Sequence, residues 1–424
     1  MKNESHKMGI WMTGALVAGT IIGAGIFVLP VTLAPLGANA IVGWIISGAG
    51  AVSLAFALGR LSHVGDDGIQ ANIELMLGST PAFLGAWSFW VSNWVSQAVV
   101  ALAGASALSW VDPRLSGPSF AIPVAIASVV LLTIVNALGV RAAGRTATLT
   151  LVIKLLPLGA VIVLFVVRGA TSTPFEPLAS LPITLGNLAT AAALTFFALT
   201  GFENVTTLIG KVRDPSRTIP LALVGGTLFV ALIYLLASTS VQLLLPAKIV
   251  AISLAPFAEV LVAQWGGRIA SLAAVAIAIA AFGCLNGLIL ATGELGYSMG
   301  SLGDLPKIMT WMRGDNTPVG AQIVASALSI LLILTNSNRS SASLFTFFIL
   351  FATSALLVVY LAGTISAWRV SASLPSRVTI IVALMFVLFA IYGSGLEADM
   401  WCLVLMVIGL AVRAFMRRLN TGRR

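Results

Sequence analysis

Gly19-Thr20-Ile21-Ile22-Gly23-Ala24-Gly25-Ile26-Phe27-Val28-Leu29-Pro30 lies inside the first long apolar run of the chain. A helix that crosses a membrane should not weaken itself with glycine, yet Gly19, Gly23 and Gly25 fall within seven residues and invite unwinding. The same glycines would also let two helices pack closely through small residues, and spacing alone does not choose between the two. A second interruption, Leu199-Thr200-Gly201-Phe202-Glu203-Asn204, stands at the corresponding place in the sixth apolar run. Matched interruptions in two halves of a chain point to a transport site, because unpaired backbone groups are tolerated at membrane depth only where they line a cavity. Such a pair of breaks offers N–H groups at one half-helix end and carbonyls at another. Together they suit a carboxylate and an ammonium held a short distance apart, the head of an amino acid.

The solvent around these breaks follows from composition. With 59% hydrophobic and 9% charged residues over 424 positions and a mean hydropathy of +1.05, the apolar side chains exceed what a water-soluble core can hide. A bilayer core of about 30 Å takes roughly 20 apolar residues per helix. Twelve such runs are read at 10–33, 39–61, 82–110, 119–139, 146–168, 186–209, 218–244, 266–300, 319–335, 341–368, 377–394 and 399–416. They lack the alternation of barrel strands, so the expectation is an all-α integral membrane protein of about twelve transmembrane helices. The whole chain reads as one permease domain. Residues 10–168 form a first five-helix repeat, 186–368 a second, inverted one, and 377–416 a final pair. The first run is too long and too glycine-rich for a cleaved signal and is expected to be retained as a span.

The net charge of +9 is explained by topology. Lys2, Lys7, Arg60, Arg141, Arg145, Lys211, Arg213, Arg217, Lys307, Arg313, Arg369, Arg377 and the tail arginines fall on one side of this segmentation; only Arg114, Arg168, Lys248, Arg268 and Arg339 fall on the other. The positive-inside bias therefore places both termini in the cytoplasm, in an inner-membrane protein, and leaves no case for nucleic acid. Cys284 and Cys402, and His6 and His63, form no metal or disulfide pattern, and no cofactor is expected.

Polar residues inside the runs carry the rest. Lys154 sits two and a half turns deep in Leu151-Val152-Ile153-Lys154-Leu155-Leu156-Pro157, where a central charge costs about 2.5–3.5 kcal/mol. It reads either as a snorkelling side chain or as a coupling group that exchanges a proton or stands where another transporter holds sodium. Glu203, just past Gly201, reads as a structural carboxylate or as a protonatable gate. Glu294 reads as structural. Gln97, Asn93, Ser96, Thr353 and Ser354 face either a central cavity or neighbouring helices as interhelical ties. Trp87, Trp90, Trp94 and Trp110 fit packing or interfacial belts. No nucleophile–base pair, zinc motif or phosphate loop argues for an enzyme, and no repeated charge ring argues for a channel.

At these residues the chain resembles the amino acid–polyamine–organocation superfamily, within it the basic amino acid/polyamine antiporter-like permeases with the LeuT-type five-plus-five inverted-repeat fold. Four patches carry the resemblance: Gly19 to Pro30, Phe196 to Glu203, Lys211 to Pro220, and Gly296 to Lys307. The resemblance implies that backbone N–H groups around Ala24 and Gly25 take a substrate carboxylate and that carbonyls near Ile21, Phe197 and Thr200 take its amine; Gly23, Ile26, Gln97 and Gly201 complete the expected substrate site. It implies that Phe197 is an aromatic gate, that Lys154 replaces the second sodium site, and that Glu203 is a pH-responsive glutamate. Phe197 stands where arginine exchangers carry tryptophan, which weakens cation–π recognition and favours a neutral amino acid. The alternatives are a cationic amino acid/polyamine antiporter, or a sensor of the same fold without net transport. The segment His63-Val64-Gly65-Asp66-Asp67-Gly68-Ile69-Gln70 departs from the family pattern. Expected partners are an amino acid substrate, the lipid bilayer and protons, with a homodimer left open.

Overall fold

Apolar runs of spanning length that lack strand alternation fold here as α-helices, since in lipid each backbone N–H and C=O must pair within its own segment. The computed structural model describes residues 8–61, 64, 69–111, 118–138, 143–171, 173–203, 212–313 and 317–421. Lys2, Lys7, His6, His63, Arg114, Arg141, Asn204, Lys211, Arg423, Arg424 and most of the 62–68 stretch lie outside the described residues. The helices are α1 (Ile10–Ile21), α2 (Gly25–Leu33), α3 (Ala38–Leu61), α4 (Ile69–Leu77), α5 (Ser79–Val111), α6 (Pro118–Ala137), α7 (Ala143–Ala170) and α8 (Leu185–Ala198). They continue as α9 (Pro215–Leu244), α10 (Ala247–Val250), α11 (Pro256–Trp265), α12 (Gly267–Ser301), α13 (Val319–Thr335), α14 (Ser341–Val370) and α15 (Leu374–Thr421).

Eight of these are long and apolar enough to cross a bilayer; α1 and α2 form one further span bent by 52°, and α8 and α13 are shorter apolar helices. The segment α15 holds two spans, because Gly395 at φ 81° turns the chain between them. This yields about twelve crossings, as the sequence implies. The short helices α4, α10 and α11 between spans are additions that hydropathy alone does not reveal. Local signals set several ends. Thr184 and Ser340 cap α8 and α14 by accepting from the N–H groups of Asn187 and Ser343, and Pro215 and Pro256 sit in the first turns of α9 and α11, where a missing N–H is harmless.

The helices α5 and α14 form the centre: 89% and 78% of their spanning windows are buried, against 17% for α6 at the periphery. Close packing uses small residues. A Cβ on Gly43 of α3 would stand 2.6 Å from the Ala191 Cβ of α8, and one on Gly393 would stand 2.0 Å from the Ala189 carbonyl. Thus α3, α8 and the last hairpin touch nearly backbone to backbone. Polar pairs tie α6 to α13 and to α12: Thr133 to Ser326 at 2.7 Å and Asn136 to Asn286 at 2.8 Å.

The end of the bundle that carries α4 gathers basic side chains, as the charge pattern requires. Arg369 donates to the Met76 carbonyl, and Arg413 donates to the Ser79 carbonyl at 3.0 Å. Asp304, in the loop after α12, accepts from Arg413 at 2.9 Å and Arg417 at 2.8 Å. The Asp304 and Arg413 side chains are only 6% and 7% exposed. Removing one partner of such a pair strands a buried charge, so Asp304→Ala is expected to destabilise the protein by about 3–5 kcal/mol, read as a lower melting temperature in detergent. A surface pair such as Arg168–Glu176 should shift it by under about 1 kcal/mol.

Candidate functional site

The first span opens between Ile21 and Gly25. Ile22 is extended (ψ 91°) and α2 begins at Gly25. The first intrahelical bond there runs from the Phe27 N–H to the Ala24 carbonyl at 3.1 Å, so the N–H groups of Gly25 and Ile26 precede the helical ladder. Ala24 and Ile26 are fully buried. A buried half-helix N-terminus with unladdered N–H groups is a receptor for an anion such as a carboxylate.

The second opening is where the sequence places it. The end of α8 is at Ala198, and Gly201 takes φ +111°, a left-handed value that any side chain would resist. The two openings abut. A Cβ on Gly201 would lie 2.6 Å from the Thr20 carbonyl oxygen, and one on Gly25 would lie 2.8 Å from Cε1 of Phe197. Phe197, 9% exposed, therefore covers the start of α2 with its ring. Its carbonyl accepts from the Thr200 hydroxyl at 2.7 Å. The residues expected to form one site, Ile21, Gly23, Ala24, Gly25, Ile26, Phe197, Thr200 and Gly201, thus lie in the two turns that face one another.

Two helices outside the broken pair supply donors to the first opening. Lys154 of α7, 9% exposed, donates from Nζ to the Ile22 carbonyl at 2.8 Å, so it points into the break and does not snorkel. An unwound turn frees carbonyls that lipid cannot solvate; an ammonium here satisfies one and is itself held. Tyr234 of α9 sits with its hydroxyl 3.4 Å from the Ile21 carbonyl. At the second opening, Glu203 accepts from the Gly201 N–H at 3.0 Å and from the Tyr360 hydroxyl of α14 at 2.7 Å. Tyr360 also stacks on Phe202 with ring centroids 5.6 Å apart. A carboxylate that joins α14 to the flexed turn is a structural brace, and its chemistry also lets it bind a proton.

Tyr234 and Tyr360 carry no expectation from the sequence reading. The signal was present: the chain has only four tyrosines, and a phenol at mid-span needs a partner for its O–H. Gln97 is turned to other business. Its amide donates to Thr292 at 3.1 Å and accepts from Ser329 at 3.1 Å, which binds α5 to α12 and α13. Thr353 and Ser354 likewise bond to the Ala193 carbonyl and to Asp399, and Trp87, Trp90 and Trp94 pack in a file along α5. A cavity of about 750 Å³ lies between α5, α13, α14 and α15, lined by Trp94, Leu331, Phe351, Trp401 and Ile408 among others. None of the break residues lines it, and its walls are largely apolar. Among the described residues no His/Cys/Asp/Glu group could hold a metal ion.

The amino acid permease profile matches residues 8–412. The chain belongs to the amino acid permease family. Within that wider group it is similar to a cadaverine/lysine antiporter of Escherichia coli (strain K12), 29% identical over 361 residues that cover 80% of this chain and 78% of that one. It is similar to the putrescine transporter PotE of the same organism, 23% identical with 96% and 95% covered. A putative arginine/ornithine antiporter of Bacillus subtilis (strain 168) is 27% identical, with 87% and 85% covered. As a member of the amino acid permease family with two apposed helix breaks, the chain is a multi-pass membrane transporter.

Proposed function

We propose that this permease is a sodium-independent exchanger of cationic amino acids and amines in the cytoplasmic membrane, with both termini inside, working by alternating access around the two breaks. The observation that carries the reading is the pair of openings in contact, Gly201 against Thr20 and Phe197 over Gly25, with Lys154 bonded to the Ile22 carbonyl. A resident ammonium at that carbonyl occupies a place that a cation would otherwise take, which supports independence from sodium. Residues 10–168 and 186–368 act as two inverted repeats that rock against each other. The cationic substrate class is supported by three relatives, two of them named as antiporters, whose names all specify substrates with more than one amine or a guanidinium. A second reading, a neutral amino acid, is favoured by one feature: Phe197 offers a weaker cation–π face than tryptophan.

Proteoliposomes loaded with lysine, ornithine, arginine, cadaverine or putrescine, and separately with alanine or leucine, test the choice by counterflow of labelled substrate. Saturable exchange of the cationic set without sodium supports the first reading. Exchange confined to neutral amino acids replaces it with the second, and absence of flux for every compound sinks both. In the same vesicles Glu203→Gln keeps an acceptor for Gly201 and Tyr360 but removes the titratable acid. Its rate is expected to vary less than about threefold between pH 5 and 8 while the parent varies by about tenfold or more; matching profiles would leave Glu203 as a brace only.

A further inference from the structure

The span α9 reads Leu232-Ile233-Tyr234-Leu235-Leu236, and Tyr234 is fully buried. A phenol hydroxyl buried there must find partners within the protein. It finds one in the unwound turn: the hydroxyl lies 3.4 Å from the Ile21 carbonyl. Ile21 and Gly23 flank Ile22, whose carbonyl holds Lys154 at 2.8 Å. Two consecutive carbonyls of the turn, Ile21 and Ile22, are therefore held by α9 and α7, while Gly201 approaches at Thr20. The phenol ring packs edge to face against Trp44 of α3 at 5.8 Å.

We infer that Tyr234 is a positioning residue for substrate, holding the start of the unwound turn at Ile21 so that the Ile21 carbonyl can receive the substrate's ammonium; this rests on the transport reading above. A carbonyl has two lone pairs, and a contact of 3.4 Å is longer than the usual O–H···O bond of about 2.7–2.8 Å. The Ile21 oxygen is thus aimed by Tyr234 without being saturated by it. Gly23 has no side chain to keep the turn in place, so the hydroxyl supplies the constraint that the sequence omits. Lys154 cannot substitute for it, because its ammonium is committed to the next carbonyl along.

Tyr234→Phe removes the hydroxyl and leaves the ring on Trp44. The loss of one neutral hydrogen bond predicts a KM for substrate about 5- to 10-fold higher with kcat changed less than about threefold. A second readout needs no substrate. The Sγ of Cys284 lies 3.5 Å from the place a Gly23 Cβ would occupy, and Cys402→Ser leaves Cys284 as the only thiol of the chain's two. In that background Tyr234→Phe is expected to speed alkylation of Cys284 by N-ethylmaleimide several-fold, because the turn packed on the thiol loosens. Trp44→Phe, which keeps the hydroxyl, should leave both KM and alkylation near the parent values. Unchanged KM and unchanged alkylation in Tyr234→Phe overturn the inference, as do equal effects from Trp44→Phe, which would reduce Tyr234 to packing. Faster alkylation in a protein that moves none of the tested compounds would keep the positioning role and discard the transport reading.

Discussion

Lys154→Met is expected to lower kcat/KM about 10- to 100-fold while the protein remains folded in the membrane. The side chain is buried and its Nζ holds the Ile22 carbonyl at 2.8 Å. Methionine fills the same space but leaves that carbonyl without its donor, and a hydrogen bond from a charged group is worth about 1.5–3 kcal/mol, or one to two powers of ten. The loss should fall on transport more than on stability. The variant also removes the cost of keeping an ammonium at membrane depth, about 2.5–3.5 kcal/mol on insertion scales, which offsets the lost bond in the fold. Uptake and exchange in proteoliposomes, alongside a melting curve, separate the two effects. Lys154→Met with parent-like kinetics would end its role at the break. Restoration of transport by added sodium would instead support the idea that the ammonium stands in for a cation.

Gly201→Ala is expected to abolish transport and to lower stability. At φ +111° a residue with a Cβ is strained by about 1–3 kcal/mol. The new carbon would also stand 2.6 Å from the Thr20 carbonyl oxygen, a backbone atom that cannot move without displacing the first break. Gly25→Ala should be milder, because the atom it meets at 2.8 Å is the edge of the Phe197 ring, which can rotate. Gly287→Ala in α12 is the control: nothing lies within 4 Å of its Cβ position, and alanine there should favour the helix by about 1 kcal/mol. Binding of a labelled substrate to the three purified variants gives the order. Parent-like affinity in Gly201→Ala would mean that the breaks serve packing alone.

Much of the fold was legible because the bilayer enforces a simple rule. Long apolar runs must be helices, and only unusual residues can interrupt them. Gly23, Gly25 and Gly201 announced the breaks, and Lys154 and Glu203 announced themselves as charges where charge is costly. The substrate class was less legible. Reading Phe197 as evidence for a neutral amino acid draws on a ring type, whereas the relatives that share most of the chain are named for cadaverine and lysine, putrescine, and arginine and ornithine. Gln97 shows the limit of type-based reading: an amide in a span serves a cavity or a helix tie equally well, and only its contacts with Thr292 and Ser329 show where it points.

By itself, then, the sequence determined the solvent, the approximate number of crossings and the two places where the main chain departs from helix, because hydropathy and glycine act locally. Tertiary structure alone decided which groups meet at those places. Tyr234 comes to Ile21 across 213 residues of chain, Lys154 to Ile22 across 132, and Tyr360 to Glu203 across 157. Such partners are fixed by how helices pack around small residues like Gly43 and Gly393, and side-chain periodicity says which face of a helix is polar without saying which neighbour it will face.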